Sequence, residues 1–400
     1  MTMDICIHPQ KLKGTLPAIP SKSQAHRLLI CAAFADKPTE ILCPDTNRDI
    51  EATAACLNAL GSCIRRTETG YSVLPAASCP SSALLPCQDS GSTLRFLLPI
   101  AGALGIDTVF QMTGRLPERP LSPLWEEMER MGCKLSRPTA DTLRCRGKLS
   151  PGEYHIAGNV SSQFITGLLL ALTLLPGESR LHIEGPLESA PYVTMTQRAM
   201  AFFGVDSKNF VIPGTSAFVS PGICHVEGDW SNAAFFLAAK ELGNDVCVTG
   251  LDDHSPQGDR ACGLWLPLLK EKQTIDASNI PDLIPILAVV AACNHGAVFQ
   301  NIQRLRMKES DRVASILDLL HSLGGRAEAS PESLTVYRAE LTGGTVDSHN
   351  DHRIAMAAAI AATVCKENVV ILGAQCVEKS YPSFFEEYKK LGGCYEQYLR

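Results

Sequence analysis

Six times along the chain a small polar cluster opens directly into an apolar run. The clusters are Ser21-Lys22-Ser23 before residues 28–34, Asp89-Ser90-Gly91-Ser92-Thr93 before 94–104, and Ser161-Ser162-Gln163 before 164–175. Asp229-Trp230-Ser231-Asn232 before 233–239, Asn279-Ile280-Pro281-Asp282 before 283–293 and Asn350-Asp351 before 354–365 complete the series. Between Ser23, Ser92, Ser162, Ser231, Asp282 and Asp351 the intervals are 69, 70, 69, 51 and 69 residues. A period of that kind is the mark of a repeated structural unit. Each cluster reads as a helix N-terminus, where Ser, Asp or Asn accepts from the free first-turn amides. The runs that follow are apolar nearly all round, which predicts helices buried on every side.

A second series carries the same period. Leu60-Gly61, Met131-Gly132, Phe203-Gly204, Leu323-Gly324 and Leu391-Gly392 read as helix ends, most of them followed by strand-like sequence, with Leu268-Leu269-Lys270 as a sixth member lacking its glycine. Each unit then holds a buried helix, a more polar helix such as 50–60 or 123–131, and several short strands. Six units divide into two groups of three. The short interval follows the fourth marker, so the boundary is expected just before it, giving one lobe at 19–226 and another at 1–18 plus 227–400. The strand 3–8 is expected to return to the second lobe, with 14–20 as a hinge. Buried helices that aim their N-termini at a common cleft would bring positive potential there.

That local source of positive charge matters because the chain as a whole is acidic. A net charge of -6 argues against nucleic acid as the main partner. No basic leader and no apolar run of membrane-spanning length is apparent, so the expectation is a cytoplasmic protein without membrane partners. The 16 cysteines are scattered without a Cys-x-x-Cys, and Cys31, Cys56, Cys293 and Cys365 lie in apolar company, as free thiols of a reducing compartment do. His349 and His352 offer two metal ligands with no second cluster to complete a shell, so no metal is expected.

Two charged knots hold the candidate chemistry. If residues 304–312 form a helix, Lys308 and Arg312 share one face with Glu309, placing two cations beside one carboxylate. The plain alternative is a solvated helix with a Glu309 to Arg312 pair. The second knot, His349-Asn350-Asp351-His352-Arg353, runs straight into a buried helix. Lys22, Arg27, Arg95, Arg119, Lys308, Arg312, Arg353 and Lys379 together predict an anion of two or three charges. Neither a P-loop nor a Gly-x-Gly-x-x-Gly fingerprint is present. Asp282, at a helix start, reads either as a cap or as a base.

Pro20-Ser21-Lys22-Ser23 with Arg27, Asp89-Ser90-Gly91-Ser92-Thr93 with Arg95, Thr113-Gly114 with Glu118-Arg119-Pro120, Ser161-Ser162-Gln163-Phe164, Glu227-Gly228-Asp229, Lys308-Glu309-Ser310-Asp311-Arg312 and Asn350-Asp351-His352-Arg353 resemble the 3-phosphoshikimate 1-carboxyvinyltransferase (EPSP synthase) family, in order and over nearly the whole chain. The resemblance implies an α/β fold, a two-lobed inside-out α/β barrel of six βαβαββ repeats, three per lobe. It implies transfer of the enolpyruvyl group of phosphoenolpyruvate to the 5-hydroxyl of shikimate 3-phosphate, with release of phosphate, by a monomer with no cofactor. By the same resemblance Ser23, Arg27, Ser161, Ser162, Ser189 and Tyr192 hold shikimate 3-phosphate in the N-terminal lobe, with Lys22 and Gln163 between the substrates. Gly91, Arg95, Arg119, Arg312, Arg353 and Lys379 surround phosphoenolpyruvate, on the side of the C-terminal lobe. Asp282 acts as the base, Glu309 as the acid, Lys308 bridges them and His352 supports the leaving phosphate. Arg304 stands where the family often has an amide residue, and Phe96 where the plant and enteric type has proline. The alternatives are the related UDP-N-acetylglucosamine enolpyruvyltransferase and a non-catalytic anion-binding relative. The first carries a loop cysteine that residues 113–120 lack, and the second needs neither Asp282 nor Glu309.

Overall fold

The computed structural model describes residues 2–215 and 217–399; Met1, Ser216 and Arg400, which fall within the expected lobes, lie outside the described residues. Among the described residues the α-helices are α1 Lys22–Ala33, α2 Arg48–Ala59, α3 Gly91–Leu104, α4 Leu124–Arg130, α5 Ser162–Thr173, α6 Ala190–Phe202, α7 Trp230–Glu241, α8 Cys262–Leu268, α9 Ile284–Cys293, α10 Arg312–Ser322, α11 His352–Ala362 and α12 Phe384–Lys390. The chain divides into two compact units, Pro20–Glu227 and a split unit made of Met1–Ile19 with Gly228–Arg400. No described helix is long and apolar enough to cross a membrane.

In the Pro20–Glu227 unit α1, α3 and α5 are the buried helices, each opened by a serine whose hydroxyl accepts from the first turn: Ser21 from Gln24, Ser90 from Thr93 and Ser161 from Gln163. One core gathers Leu29, Leu97, Leu98, Phe164, Leu168 and Leu172 with the sheets around them. Each such side chain contributes about 1.5–3 kcal/mol over its exposed state. Strands Ser82–Gln88, Asp107–Met112, Thr142–Gly147 and Cys133–Ser136 form one mixed sheet in that spatial order, and Ile223–His225, Thr39–Leu42, Gly70–Leu74 and Cys63–Arg66 form another. A third sheet pairs Glu153–Ala157 in parallel with Ser179–Glu184. Helices α3 and α5 approach so closely that a Cβ on Gly167 would stand 2.2 Å from the Arg95 carbonyl.

In the split unit α7, α9 and α11 are the buried counterparts, with a core built on Phe235, Leu287, Val290, Ala358 and Ile360. Asp229 caps α7 and Asp351 caps α11. The strand Met3–His8 lies between Val369–Leu372 and Cys394–Leu399, antiparallel to both. Glycines follow α2, α4, α6, α10 and α12 as expected, and at Gly204 and Gly324 φ is 79°, a left-handed turn out of the helix that suits a residue without Cβ. Helix α8 ends in Leu269 without a left-handed residue, and the strand Gln273–Asp276 follows all the same.

Three local expectations need correction. Residues 304–312 are not one helix: a 3-10 turn spans Gln303–Met307, and α10 begins only at Arg312. Asp311 breaks the run because its carboxylate accepts from the Val313 and Ala314 amides at 3.1 and 3.2 Å, which an N-cap does and a mid-helix residue does not. Asp282 does not cap α9; Leu283 stands at that position and makes no side-chain cap. The stretch 14–20 is not all hinge, since Lys13–Pro17 pairs in parallel with Asp245–Thr249 and sends Leu16 into the core.

Gly167→Ala should destabilise its unit by about 2 kcal/mol or more, because the obstacle is backbone on one side and helix on the other. Gly263→Ala, at an exposed position of α8 with nothing within 4 Å of the new Cβ, should be neutral or stabilise by about 0.5–1 kcal/mol. Urea midpoints of the two variants check both; equal midpoints would contradict the packing account.

Candidate active site

In the split unit Asp282 sits in the turn ahead of α9, where its Oδ1 accepts from Arg312 Nη1 at 2.6 Å and lies 3.4 Å from Lys308 Nζ. Arg353, the second residue of α11, donates to Oδ2 at 3.0 Å and to the Asp282 carbonyl at 3.2 Å. Burial alone would raise this carboxyl, but Arg353, Lys308 and Arg312 outweigh it and hold it well below 3.8. That competition for both oxygens is why Asp282 is not spent on capping a helix.

Arg312 is 1% exposed and donates to Asp351 at 2.8 Å, to Asp282 and to Glu309 at 2.7 Å. Burial works against its charge, and Asp351, Glu309 and Asp282 more than restore it. The pairing of Glu309 with Arg312 three residues on, offered by the sequence as the plain alternative, is therefore real although no helix joins them. Asp351 does double service, capping α11 through the Arg353 amide at 3.0 Å and accepting from Ser310 at 3.1 Å. Lys308 is driven down to about 8, chiefly by burial, with Asp282 pulling it up and Arg312 pushing it further down. His352 opens α11 and is buried. Lys379 closes a 3-10 turn, also buried, and donates to the Asn350 carbonyl at 3.1 Å.

The Pro20–Glu227 unit treats its cations differently. Lys22, first in α1, pairs with Asp49 at 2.9 Å. Arg27, five residues along, is buried and among the described residues pairs with no carboxylate: it donates to Thr196 at 2.8 Å, Thr166 at 3.3 Å and the Tyr192 carbonyl at 3.0 Å. Burial takes its pKa down to about 10. Arg95 donates to Gln163 Oε1 at 2.8 Å and to the Pro120 carbonyl at 3.2 Å, and Gln163 in turn donates to Ser92 at 3.0 Å. An added Cβ on Gly91 would lie 2.6 Å from Arg119 Nη1 and 3.1 Å from Arg95 Nη1, so these guanidinium groups crowd the start of α3. Ser161 and Ser162 open α5, Ser23 lies in the first turn of α1, and Ser189 precedes α6 with φ 54°. Lys22, Ser23 and Arg27 are thus on one helix, Gly91, Arg95, Arg119 and Gln163 in one group, and Asp282, Lys308, Glu309, Arg312 and Arg353 in another.

Sequence reasoning passed over Asp49, Thr166 and Thr196 as ligands of the cations, and Asp351 as more than a cap. Asp49 carried only the signal of an acid in the first turn of α2, which any helix can show.

Local clusters of this kind describe chemistry without naming it; comparison with known proteins supplies the rest. The model of the EPSP synthase (3-phosphoshikimate 1-carboxyvinyltransferase) family matches residues 7–264 and 267–388. The chain belongs to the EPSP synthase family. A 3-phosphoshikimate 1-carboxyvinyltransferase of Clostridium kluyveri is 38% identical over 418 residues, covering 97% of each chain, and one of Clostridium perfringens is 39% identical over 420 residues, covering 97% of this chain and 98% of its own. Among solved structures, an EPSP synthase of Acinetobacter baumannii superposes with a TM-score of 0.80 at 22% identity, over 100% of both chains. An enolpyruvyl transferase of Streptomyces tendae gives 0.77 at 17% identity, over 100% of this chain and 99% of that one. These two likenesses show the fold, a mixed α/β one.

The cluster makes a prediction independent of any substrate. Acylation of Lys308, followed by peptide mapping, should reach half its maximal rate near pH 8, against about 10.5 for an ordinary lysine. Asp282→Asn removes an attraction that favours the ammonium, so the midpoint should move lower still. A midpoint unchanged from that of surface lysines would contradict the burial account.

Proposed function

We propose that this chain transfers the enolpyruvyl group of phosphoenolpyruvate to the 5-hydroxyl of shikimate 3-phosphate, giving 5-enolpyruvylshikimate 3-phosphate and phosphate, in aromatic amino-acid biosynthesis. The observation that carries the reading is the carboxylate of Asp282 held among Lys308, Arg312 and Arg353, with Glu309 on the same guanidinium. Protonating the methylene carbon while an alcohol adds at its neighbour builds oxocarbenium character, so the chemistry needs an acid, a base and cations on the phosphate. Asp282 takes the hydroxyl proton, Glu309 protonates the methylene, and Lys308, titrating near neutrality, can exchange a proton with either. His352 supports the departing phosphate. Collapse of the adduct expels phosphate, which carries off the proton that Asp282 took, and a methyl proton returns to Glu309, so the protein is left as it began.

In this reading the Pro20–Glu227 unit holds shikimate 3-phosphate through Ser23, Arg27, Ser161, Ser162, Ser189 and Tyr192, with Lys22 and Gln163 shared. Gly91, Arg95, Arg119, Arg312, Arg353 and Lys379 serve phosphoenolpyruvate. The six sheets found among the described residues are taken as six βαβαββ repeats of an inside-out barrel, three in each unit. The enzyme is taken to be cytoplasmic and monomeric. Phosphate release from phosphoenolpyruvate with shikimate 3-phosphate, compared with a UDP-sugar acceptor, tests the assignment; release only with the UDP-sugar would replace it.

Glu309→Gln keeps an acceptor for Arg312 but cannot give up a proton of carboxylic acid strength. Turnover should fall on the order of a hundredfold while substrate binding is largely kept. Lys308→Met should weaken binding and turnover together. A Glu309→Gln protein that is less stable yet turns over normally in single-turnover experiments would leave Glu309 as no more than a partner of Arg312.

Gly91→Ala should fold normally, because the atoms its Cβ meets are the mobile ends of Arg119 and Arg95. Displacing them should raise KM for phosphoenolpyruvate well above any change in KM for shikimate 3-phosphate. An equal rise in both would show that the glycine serves the backbone alone.

A further inference from the structure

Under the first turns of α1, α2 and α3 runs a buried polar chain with no part in the proton transfers above. His26 Nδ1 lies 2.7 Å from Thr53 Oγ1, Thr53 Oγ1 lies 2.7 Å from Thr93 Oγ1, and Thr93 Oγ1 donates to Ser90 Oγ at 2.8 Å. His26, Thr53 and Thr93 are each fully buried and Ser90 is nearly so. Each hydroxyl has a single hydrogen, and Thr93 directs its own away from Thr53, to Ser90 with the Asp49 carbonyl a more distant acceptor at 3.4 Å, so the order of donors up to Thr93 is determined. Thr53 must then donate to Thr93, and the His26 Nδ1–H to Thr53. That leaves Nε2 as a bare lone pair, and it has no hydrogen-bond partner. Burial, with Lys22 and Arg27 adding to it, keeps the ring's pKa well below 6.5, so His26 stays neutral with the one N–H this order needs.

Where the chain ends is what gives it a use. Ser90 Oγ also accepts from the Thr93 amide at 3.3 Å and so is the N-cap of α3. With two donors on it, its rotamer is set, and with it the backbone leading into Gly91, against which Arg95 and Arg119 crowd. The far end of the chain stands on α1 between Lys22 and Arg27, and Phe96 of α3 meets the His26 ring edge-on at 6.2 Å and carries the Arg27 guanidinium 5.1 Å above its face.

We propose that the buried chain His26, Thr53, Thr93 and Ser90 is a positioning device that fixes the first turn of α3 relative to α1, and thereby sets the affinity for the anionic donor substrate. The residues touch no substrate; they act through the Ser90 cap and the amides it orders. The substrate named in the test rests on the reaction proposed above.

Thr53→Val keeps the shape and breaks the chain in the middle, while Thr53→Ser keeps the hydroxyl. In Thr53→Val, KM for phosphoenolpyruvate should rise about five- to tenfold with KM for shikimate 3-phosphate within about twofold, and Thr53→Ser should restore the wild-type value. Amide hydrogen exchange at residues 91–94 should be faster in Thr53→Val than in the wild type and Thr53→Ser. A lowered thermal midpoint with both KM values unchanged would make the chain a matter of stability alone and overturn the proposal. If the wild-type protein does not turn over the two substrates, the reaction assignment falls by itself, and exchange at 91–94 still decides: equal rates in wild type and Thr53→Val overturn the positioning role, and faster exchange in the variant sustains it.

Discussion

A guanidinium taken out of water needs an acceptor for each N–H, and Arg312 finds carboxylates, which also balance its charge, in Asp282, Glu309 and Asp351. Those acids come from the turn before α9, the loop before α10 and the cap of α11, so one side chain ties three helix starts together. Taking away one member of such a cluster leaves an uncompensated buried charge and costs about 3–5 kcal/mol. Arg312 and Arg353 also stand in the first turns of their helices, where the backbone dipole repels a cation. The carboxylates offset that repulsion, and the result is a group of charges closely balanced, sensitive to any further anion.

The Pro20–Glu227 unit meets the same burial problem with neutral partners. Hydroxyls and carbonyls surround Arg27, and an amide and a carbonyl hold Arg95. The neutral partners of Arg27 satisfy its N–H groups without cancelling its charge, whereas Arg312 in the split unit is balanced by carboxylates. Lys22, with Asp49 at its ammonium, is the exception on α1. From like elements the two units thus set a buried guanidinium in unlike surroundings, Arg27 among neutral acceptors and Arg312 among carboxylates.

Much of this was legible in the chain. At five of the six buried helix starts the polar cluster contains the capping residue, because a cap is a local contest between one side chain and the amides next to it. The sixth, Asp282, broke the pattern through ties to residues 26, 30 and 71 positions away, which no window on the sequence contains. The run 304–312 misled for the related reason that charge spacing suggested a helix while Asp311 was already committed to starting one at Arg312. The cations of the site could be named from their motifs. Their partners Asp49, Thr166, Thr196 and Asp351 are ordinary residues until folding brings them near.

The strand Met3–His8 lies between two strands that follow it far along the chain, Val369–Leu372 and Cys394–Leu399. A nascent chain can therefore complete the Pro20–Glu227 unit while the sheet that holds its own first strand still lacks both neighbours. Until Val369–Leu372 and Cys394–Leu399 leave the ribosome, that strand has two open edges with unpaired amides and carbonyls. A chain cut short before Cys394 would carry one finished unit and one exposed strand edge, the kind of surface that invites pairing with another chain.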